Sequence, residues 1–213
     1  MTKTILFDLD GTLTDSGEGI IKSAAMVLEK YGLPVPSFEE MRVFVGPPLH
    51  ETFHKFGVPK DKCDDAVELY RTRYCTVGKF ENVPYPGIRE LLETLKGQGH
   101  QLFVATSKPE GMSIEILEHF DLAKYFDLIC GATLDRSRLE KSDVIAYLLQ
   151  QAGDKNNAIM VGDTVFDVVG AAAHGIPTIG VAWGYGKVED MKKAGASAIA
   201  ETPEQLLALL NRT

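Results

Sequence analysis

Ile5-Leu6-Phe7-Asp8-Leu9-Asp10-Gly11-Thr12 is the stretch from which the fold can be read. Ile5 to Phe7 read as the end of a buried strand, and side chains two apart on an extended backbone point the same way, so Asp8 and Asp10 project into one site. Two adjacent carboxylates repel. A strand end that holds them needs a divalent cation, a shared proton or a nearby base, and Gly11-Thr12 supplies the turn that releases backbone groups toward a ligand.

Outward from this stretch the rhythm of the chain changes. Ile20, Ile21, Ala24, Val27, Leu28 and Tyr31 recur at helical spacing, with Gly32 as the expected C-cap. Ser37 and Glu40 form a capping box that opens a short helix, Gly46-Pro47-Pro48 forces a loop, and Leu49, Phe53 and Phe56 mark the next helix. Ala66, Val67, Tyr70 and Tyr74 mark one more, so residues 17–78 are predicted to hold helices and loops alone. Beyond Pro84 and Pro86-Gly87, short apolar runs alternate with helices. Strands are predicted at 102–105, 128–130, 158–161, 178–181 and, at an edge, 198–200. Helices are predicted at 88–95, 113–120, 142–152, 167–174 and 188–194, and Thr202, Pro203 and Gln205 cap a closing helix.

This alternation predicts an α/β fold: a Rossmann-like, doubly wound parallel sheet that binds ligands at the carboxyl ends of its strands, with an all-helical insertion. Residues 1–14 and 84–213 are expected to form the core domain and residues 15–83 the helical domain, with hinge candidates near 14–17 and 81–86.

Composition excludes several classes. The 213 residues carry a formal net charge of −8 with 22 Lys and Arg, and no clustered basic face is visible to neutralise nucleic-acid phosphates. No apolar run approaches bilayer length and Met1-Thr2-Lys3 leads straight into a strand, so no membrane or secretory role is expected and the protein is read as cytoplasmic. Cys63, Cys75 and Cys130 contain no CxxC pair and are read as reduced structural thiols.

The chemistry collects at the strand ends. There lie Asp8 and Asp10, Thr106 and Ser107, and Gly162-Asp163 with Asp167 four residues later, while Lys141 opens the helix before the 158–161 strand. Oxygen-only carboxylates without His or Cys favour Mg²⁺ over zinc or copper. A nucleophile, a metal and donors for equatorial oxygens are what phosphoryl transfer requires. Each residue also has a plainer reading: Lys141 as an ordinary helix-start lysine, Asp163 and Asp167 as helix caps, Thr106 as a strand terminator. His50 and His54 stand i, i+4 but lack a third ligand, Arg136 and Arg138 read as solvated loop arginines, and Trp183 reads as packing.

Asp8-Leu9-Asp10-Gly11-Thr12, the strand ending in Thr106, Lys141, and Gly162-Asp163-Thr164 with Asp167 resemble, in order and separation, the four motifs of the haloacid dehalogenase-like phosphohydrolases. The helical insertion resembles the C1 cap of that superfamily. Gly46-Pro47-Pro48-Leu49 and Gly180-Val181-Ala182-Trp183-Gly184-Tyr185-Gly186 are similar to its phosphoglycolate phosphatase-like branch.

The resemblance implies an Mg²⁺-dependent phosphatase acting on a small phosphorylated metabolite. Asp8 would be the nucleophile that forms an aspartyl-phosphate and Asp10 the general acid and base, with Thr106 and Lys141 stabilising charge. Asp8, Asp10 through its carbonyl and Asp163 would surround the metal, with Asp167 either a ligand or a support for one, and Gly11, Ser107 and Gly46 of the 43–51 cap loop would add contacts to substrate. The cap would close over the substrate. Phosphoglycolate leads as substrate, with nucleoside monophosphates, pyrophosphate and sugar phosphates open. A β-phosphoglucomutase-like mutase and an inactive regulatory module are the other readings, whereas Asp10 argues against a dehalogenase or a phosphonoacetaldehyde hydrolase. A monomer or homodimer is expected.

Overall fold

The computed structural model describes residues 2–135, 137–152 and 157–212. The chain divides into two compact units, Met1–Thr14 with Pro84–Thr213, and Asp15–Val83.

The first unit is built on a six-stranded sheet. Its strands are β1 (Thr4–Phe7), β4 (Gln101–Pro109), β5 (Leu128–Ala132), β6 (Ala158–Gly162), β7 (Thr178–Val181) and β8 (Ala198–Ala200), and they run parallel in the order β5-β4-β1-β6-β7-β8. β2 (Thr14–Asp15) and β3 (Val83–Pro84) form a separate two-stranded sheet at the two chain crossings. Successive side chains on each central strand face opposite ways, which builds two cores. Ile5, Phe7, Leu102, Val104, Ile159 and Val161 pack with α4 (Ile88–Gly97), α5 (Glu110–His119) and α9 (Pro203–Arg212). Leu6, Phe103, Ala105 and Met160 pack with α6 (Lys141–Ala152) and α7 (Val165–Ala172) on the other face. Each such side chain taken fully out of water contributes about 1.5–3 kcal/mol, so burial of both faces holds the central strands. The strand order reverses at β1 and β6, where Phe7 pairs with Val161. The residues just beyond both strand ends therefore meet at the crevice where sheets of this type bind ligands.

Two elements extend beyond the apolar pattern. The 102–105 run is only the doubly buried part of β4; the strand continues through Thr106, Ser107 and Lys108, and a register shift between Ala105 and Pro109 keeps it paired to Ala132. Helix α7 starts at Val165 because Thr164 caps it, which places Asp167 at the third helical position, reaching back.

The second unit contains α1 (Gly17–Lys30), α2 (Leu49–Lys55) and α3 (Cys63–Tyr74), with short 3₁₀ turns at Glu40–Phe44, Lys60–Lys62 and Gly78–Phe80. Among its described residues there is no strand between α1 and Phe80. Its core is aromatic: Phe44 lies 5.2 Å from Phe53 and 4.8 Å from Phe56, and Tyr70 stacks on Tyr74 at 5.1 Å, ring centre to ring centre. Ser37 and Glu40 exchange hydrogen bonds in both directions, as the capping box predicts. Among the described residues no helix is long and apolar enough to cross a membrane.

Candidate active site

Asp8 follows β1 and keeps the side-chain parity of Leu6, which turns it toward α6 and α7. Its Oδ1 accepts the Leu9 amide at 2.7 Å and lies 2.8 Å from Lys141 Nζ. Lys141, the first residue of α6, also donates to the Ala105 carbonyl at 3.0 Å and stands 2.7 Å from Asp167 Oδ1. The remaining Asp167 oxygen accepts the Thr164 amide at 3.0 Å and the Thr164 hydroxyl at 2.8 Å. Both oxygens of this buried carboxylate thus serve to cap α7 and anchor Lys141.

Asp163 follows β6 and is walled in by glycines. Its Oδ2 accepts the Tyr185 amide at 2.8 Å, and Thr12 Oγ1 reaches Oδ1 at 3.4 Å. A Cβ at Gly11 or at Gly184 would run into this carboxylate, and one at Gly186 into the Asp163 carbonyl. Gly11 also has a φ of +79°, a left-handed conformation that side chains with a Cβ resist.

One carboxylate oxygen from each of Asp8, Asp163 and Asp167 lies within 4.8 Å of the others. Burial raises the Asp8 pKa to about 6; the charge of Asp167 adds to this, while Lys141 and a hydrogen bond from Thr106 oppose it. Burial, then Asp167 and Asp8, push Asp163 well above the usual carboxylate range. Burial disfavours the Lys141 ammonium as well, but Asp167 and Asp8 outweigh it and its pKa rises. Three buried carboxylates around one ammonium are short of positive charge. An oxygen-only donor set in that state fits a hard divalent cation.

Of the residues expected at the site, Asp8, Thr106, Lys141, Asp163, Asp167 and Gly11 are mutually linked by these contacts. The Asp10 carboxylate has a separate partner: its Oδ2 pairs with Lys108 Nζ at 2.7 Å. Ser107 is exposed, and Gly46 belongs to the second unit. Sequence reasoning missed Lys108, although it shares the strand parity of Thr106 and both are buried. It also missed the Tyr185 amide, since a backbone donor leaves no trace in side-chain chemistry.

The other singled-out residues have local tasks. Arg138, expected to be solvated, is buried: Nε donates to the Gly131 carbonyl at 2.7 Å, Nη2 meets Glu110 at 2.5 Å, and the guanidinium lies 4.0 Å from the Tyr147 ring centre. Arg136 lies outside the described residues. His54 Nδ1 is 3.1 Å from the Val58 carbonyl and His50 is 3.9 Å from Asp64. Trp183 packs against Tyr85 and donates its indole N–H to the Thr12 carbonyl at 3.1 Å, tying the 183–186 loop to the turn after β1.

Comparison with known proteins follows the same lines. The family model described as haloacid dehalogenase-like hydrolase matches residues 5–181. A 5'-nucleotidase of Pseudomonas aeruginosa is 40% identical over 88% of this chain and 86% of its own length. A phosphoglycolate phosphatase of Caulobacter vibrioides is 31% identical over 97% and 92%. The tyrosine-protein kinase PtkA of Mycobacterium tuberculosis is 42% identical over 92% of this chain and 67% of its own. Among solved structures, a predicted phosphatase from Clostridium acetobutylicum superposes with a TM-score of 0.95 at 42% identity, covering 100% of both chains.

Proposed function

The chain belongs to the haloacid dehalogenase-like hydrolase family, and from that premise we propose that it is an Mg²⁺-dependent phosphatase that splits small phosphate monoesters through an aspartyl-phosphate. The observation that carries this reading is Lys141 held between Asp8 and Asp167, with Asp163 in the same buried cluster. Asp8 Oδ1 is engaged by Lys141 and the Leu9 amide, so we assign the attack on phosphorus to Oδ2.

As the Oδ2–P bond forms, the bond from phosphorus to the ester oxygen breaks and the leaving oxygen takes a proton from Asp10. Water then attacks the phosphorus and gives a proton to Asp10; the P–Oδ2 bond breaks, phosphate departs and Asp8 is restored. Thr106 donates toward the phosphoryl oxygens, the Lys141 ammonium offsets the charge on the nucleophile and phosphate, and Asp167 keeps Lys141 in place. Mg²⁺, for which Asp8, Asp163 and the Asp10 carbonyl are the assigned holders, would offset the repulsion between carboxylate and phosphate.

Hydrolysis of 4-nitrophenyl phosphate with Mg²⁺ tests the reaction. Asp8→Asn is expected to lower kcat by at least about 10³-fold, as loss of a nucleophile does. Activity retained in Asp8→Asn would overturn the assignment. The substrate is addressed by ranking kcat/KM over phosphorylated metabolites. The branch motifs at 46–49 and 180–186 support phosphoglycolate, and the 40% identical 5'-nucleotidase supports a nucleoside monophosphate as the second candidate. Similarity to PtkA defines a rival outcome: ATP-dependent phosphorylation of a tyrosine peptide, with no phosphate released from esters, would count against hydrolysis.

A further inference from the structure

Lys108 has no part in the scheme above, yet it is a buried lysine beside a proposed proton donor. It lies near the carboxyl end of β4, 98 positions from Asp10 in sequence, and its ammonium reaches Asp10 Oδ2 at 2.7 Å. The two side chains retain 5% and 15% of their exposure, so the pair is largely shielded from water and the Coulomb attraction is strong. The strand places Lys108 for this task. Its amide donates to Thr106 Oγ1 at 3.2 Å, and the register shift between Ala105 and Pro109 lies at this segment.

At the other end of the contact, Asp10 sits in the turn after β1, where the Gly11 amide donates to the Thr14 carbonyl at 2.9 Å. The second Asp10 oxygen, Oδ1, is buried and has no hydrogen-bond partner among the described residues. An unpaired buried carboxylate oxygen is costly, which marks an atom kept for a ligand.

We propose that Lys108 is a positioning residue: by holding Asp10 through Oδ2 it presents Oδ1 as the atom that gives a proton to the leaving oxygen and then takes one from water. The inference rests on the reading of Asp10 as general acid and base. Lys108 itself exchanges no proton; it removes the rotation of the carboxylate that would carry Oδ1 away from the reacting oxygen.

Leaving-group dependence tests this. An alkyl phosphate needs its departing oxygen protonated, whereas 4-nitrophenyl phosphate releases a stabilised phenolate and needs little help. Lys108→Met and Lys108→Gln are compared with Asp10→Asn on both esters, with thermal melts to establish folding. Lys108→Met and Lys108→Gln are expected to lower kcat for the alkyl ester by about 10–100-fold, and for the aryl ester by at least about fivefold less, within the range attributed to positioned proton transfer. KM for either ester should move less than about threefold, since no ground-state contact is lost, and Lys108→Arg should recover part of the alkyl-ester rate. An equal fall on both esters, or a rise in KM alone, overturns the positioning role and makes Lys108 a structural or substrate-binding cation. If Asp10→Asn itself shows no difference between the esters, the general-acid reading has failed instead, and the two failures are told apart.

Discussion

Two buried lysines of the α/β unit meet carboxylates in different ways. Lys141 stands between Asp8 and Asp167 and also donates to the Ala105 carbonyl, so the ammonium is held on three sides. Lys108 takes one oxygen of Asp10, and the other oxygen stays buried without a partner. The first arrangement makes a rigid electrostatic centre, in which the three ammonium hydrogens are committed before any substrate arrives. The second holds a carboxylate by one oxygen and keeps the other available, which is what a group that must exchange a proton requires.

The largest effect that would sharpen this contrast is expected from Lys141→Met. Removing the ammonium leaves two buried carboxylates facing each other, so unfolding in urea should show a loss of about 3–5 kcal/mol. In steady-state assays kcat should fall by about 10²–10³-fold, as when a preorganised donor is removed. Lys108→Met should be milder in stability, because Asp10 is more exposed than Asp8 or Asp167. Equal losses of stability from the two variants would break the comparison.

The next effect concerns the acidic side of the centre in EDTA. Burial and Asp167 raise the folded pKa of Asp8 from the ordinary 3.8 to about 6, so the native state binds this proton more tightly than the unfolded chain does. The contribution is stabilising below the ordinary pKa and is lost as pH rises through about 6. Asp163 is raised as well and works in the same direction. Asp163→Asn removes one of these charges. The metal-free variant should therefore be more stable than wild type at pH 8, by an amount on the order of 1–3 kcal/mol, with the gap narrowing by pH 5. Melts at the two pH values measure it, and a gap that widens on acidification would contradict the sign.

The smallest effect is expected from Thr164→Ala. The hydroxyl donates to Asp167 Oδ2 and accepts from the third helical amide, so its loss should cost about 0.5–2 kcal/mol in thermal or urea unfolding. Because Asp167 keeps its contact with Lys141, turnover should fall less than in Lys141→Met.

The fold was legible because its signals are local. Ile5 to Phe7, Leu102 to Ala105 and Ala158 to Val161 are short apolar runs bounded by polar ends, and the helices between them carry their own caps. Asp8 and Asp163 stood out for a related reason, since charged groups directly beside buried strands demand a partner, and Lys141 because a lysine is unfavourable at the start of a helix. Lys108 escaped notice because the apolar run that marks the strand ends at Ala105, whereas the shifted register of β4 keeps the chain paired as far as Pro109. Arg138 misled in the opposite sense: nothing in the 133–140 loop announces that its guanidinium will be covered by Tyr147 and Glu110.

The sequence by itself determined the alternation of strands and helices and the positions of the acids at the strand ends, because side-chain parity and capping act over two to four neighbouring residues. Only the tertiary structure decided which cation meets which carboxylate: Lys141 with Asp8 and Asp167, Lys108 with Asp10. Coulomb attraction and desolvation depend on distance and burial in space, and those are set when segments 98 positions apart, such as Asp10 and Lys108, are brought together by the packed sheet.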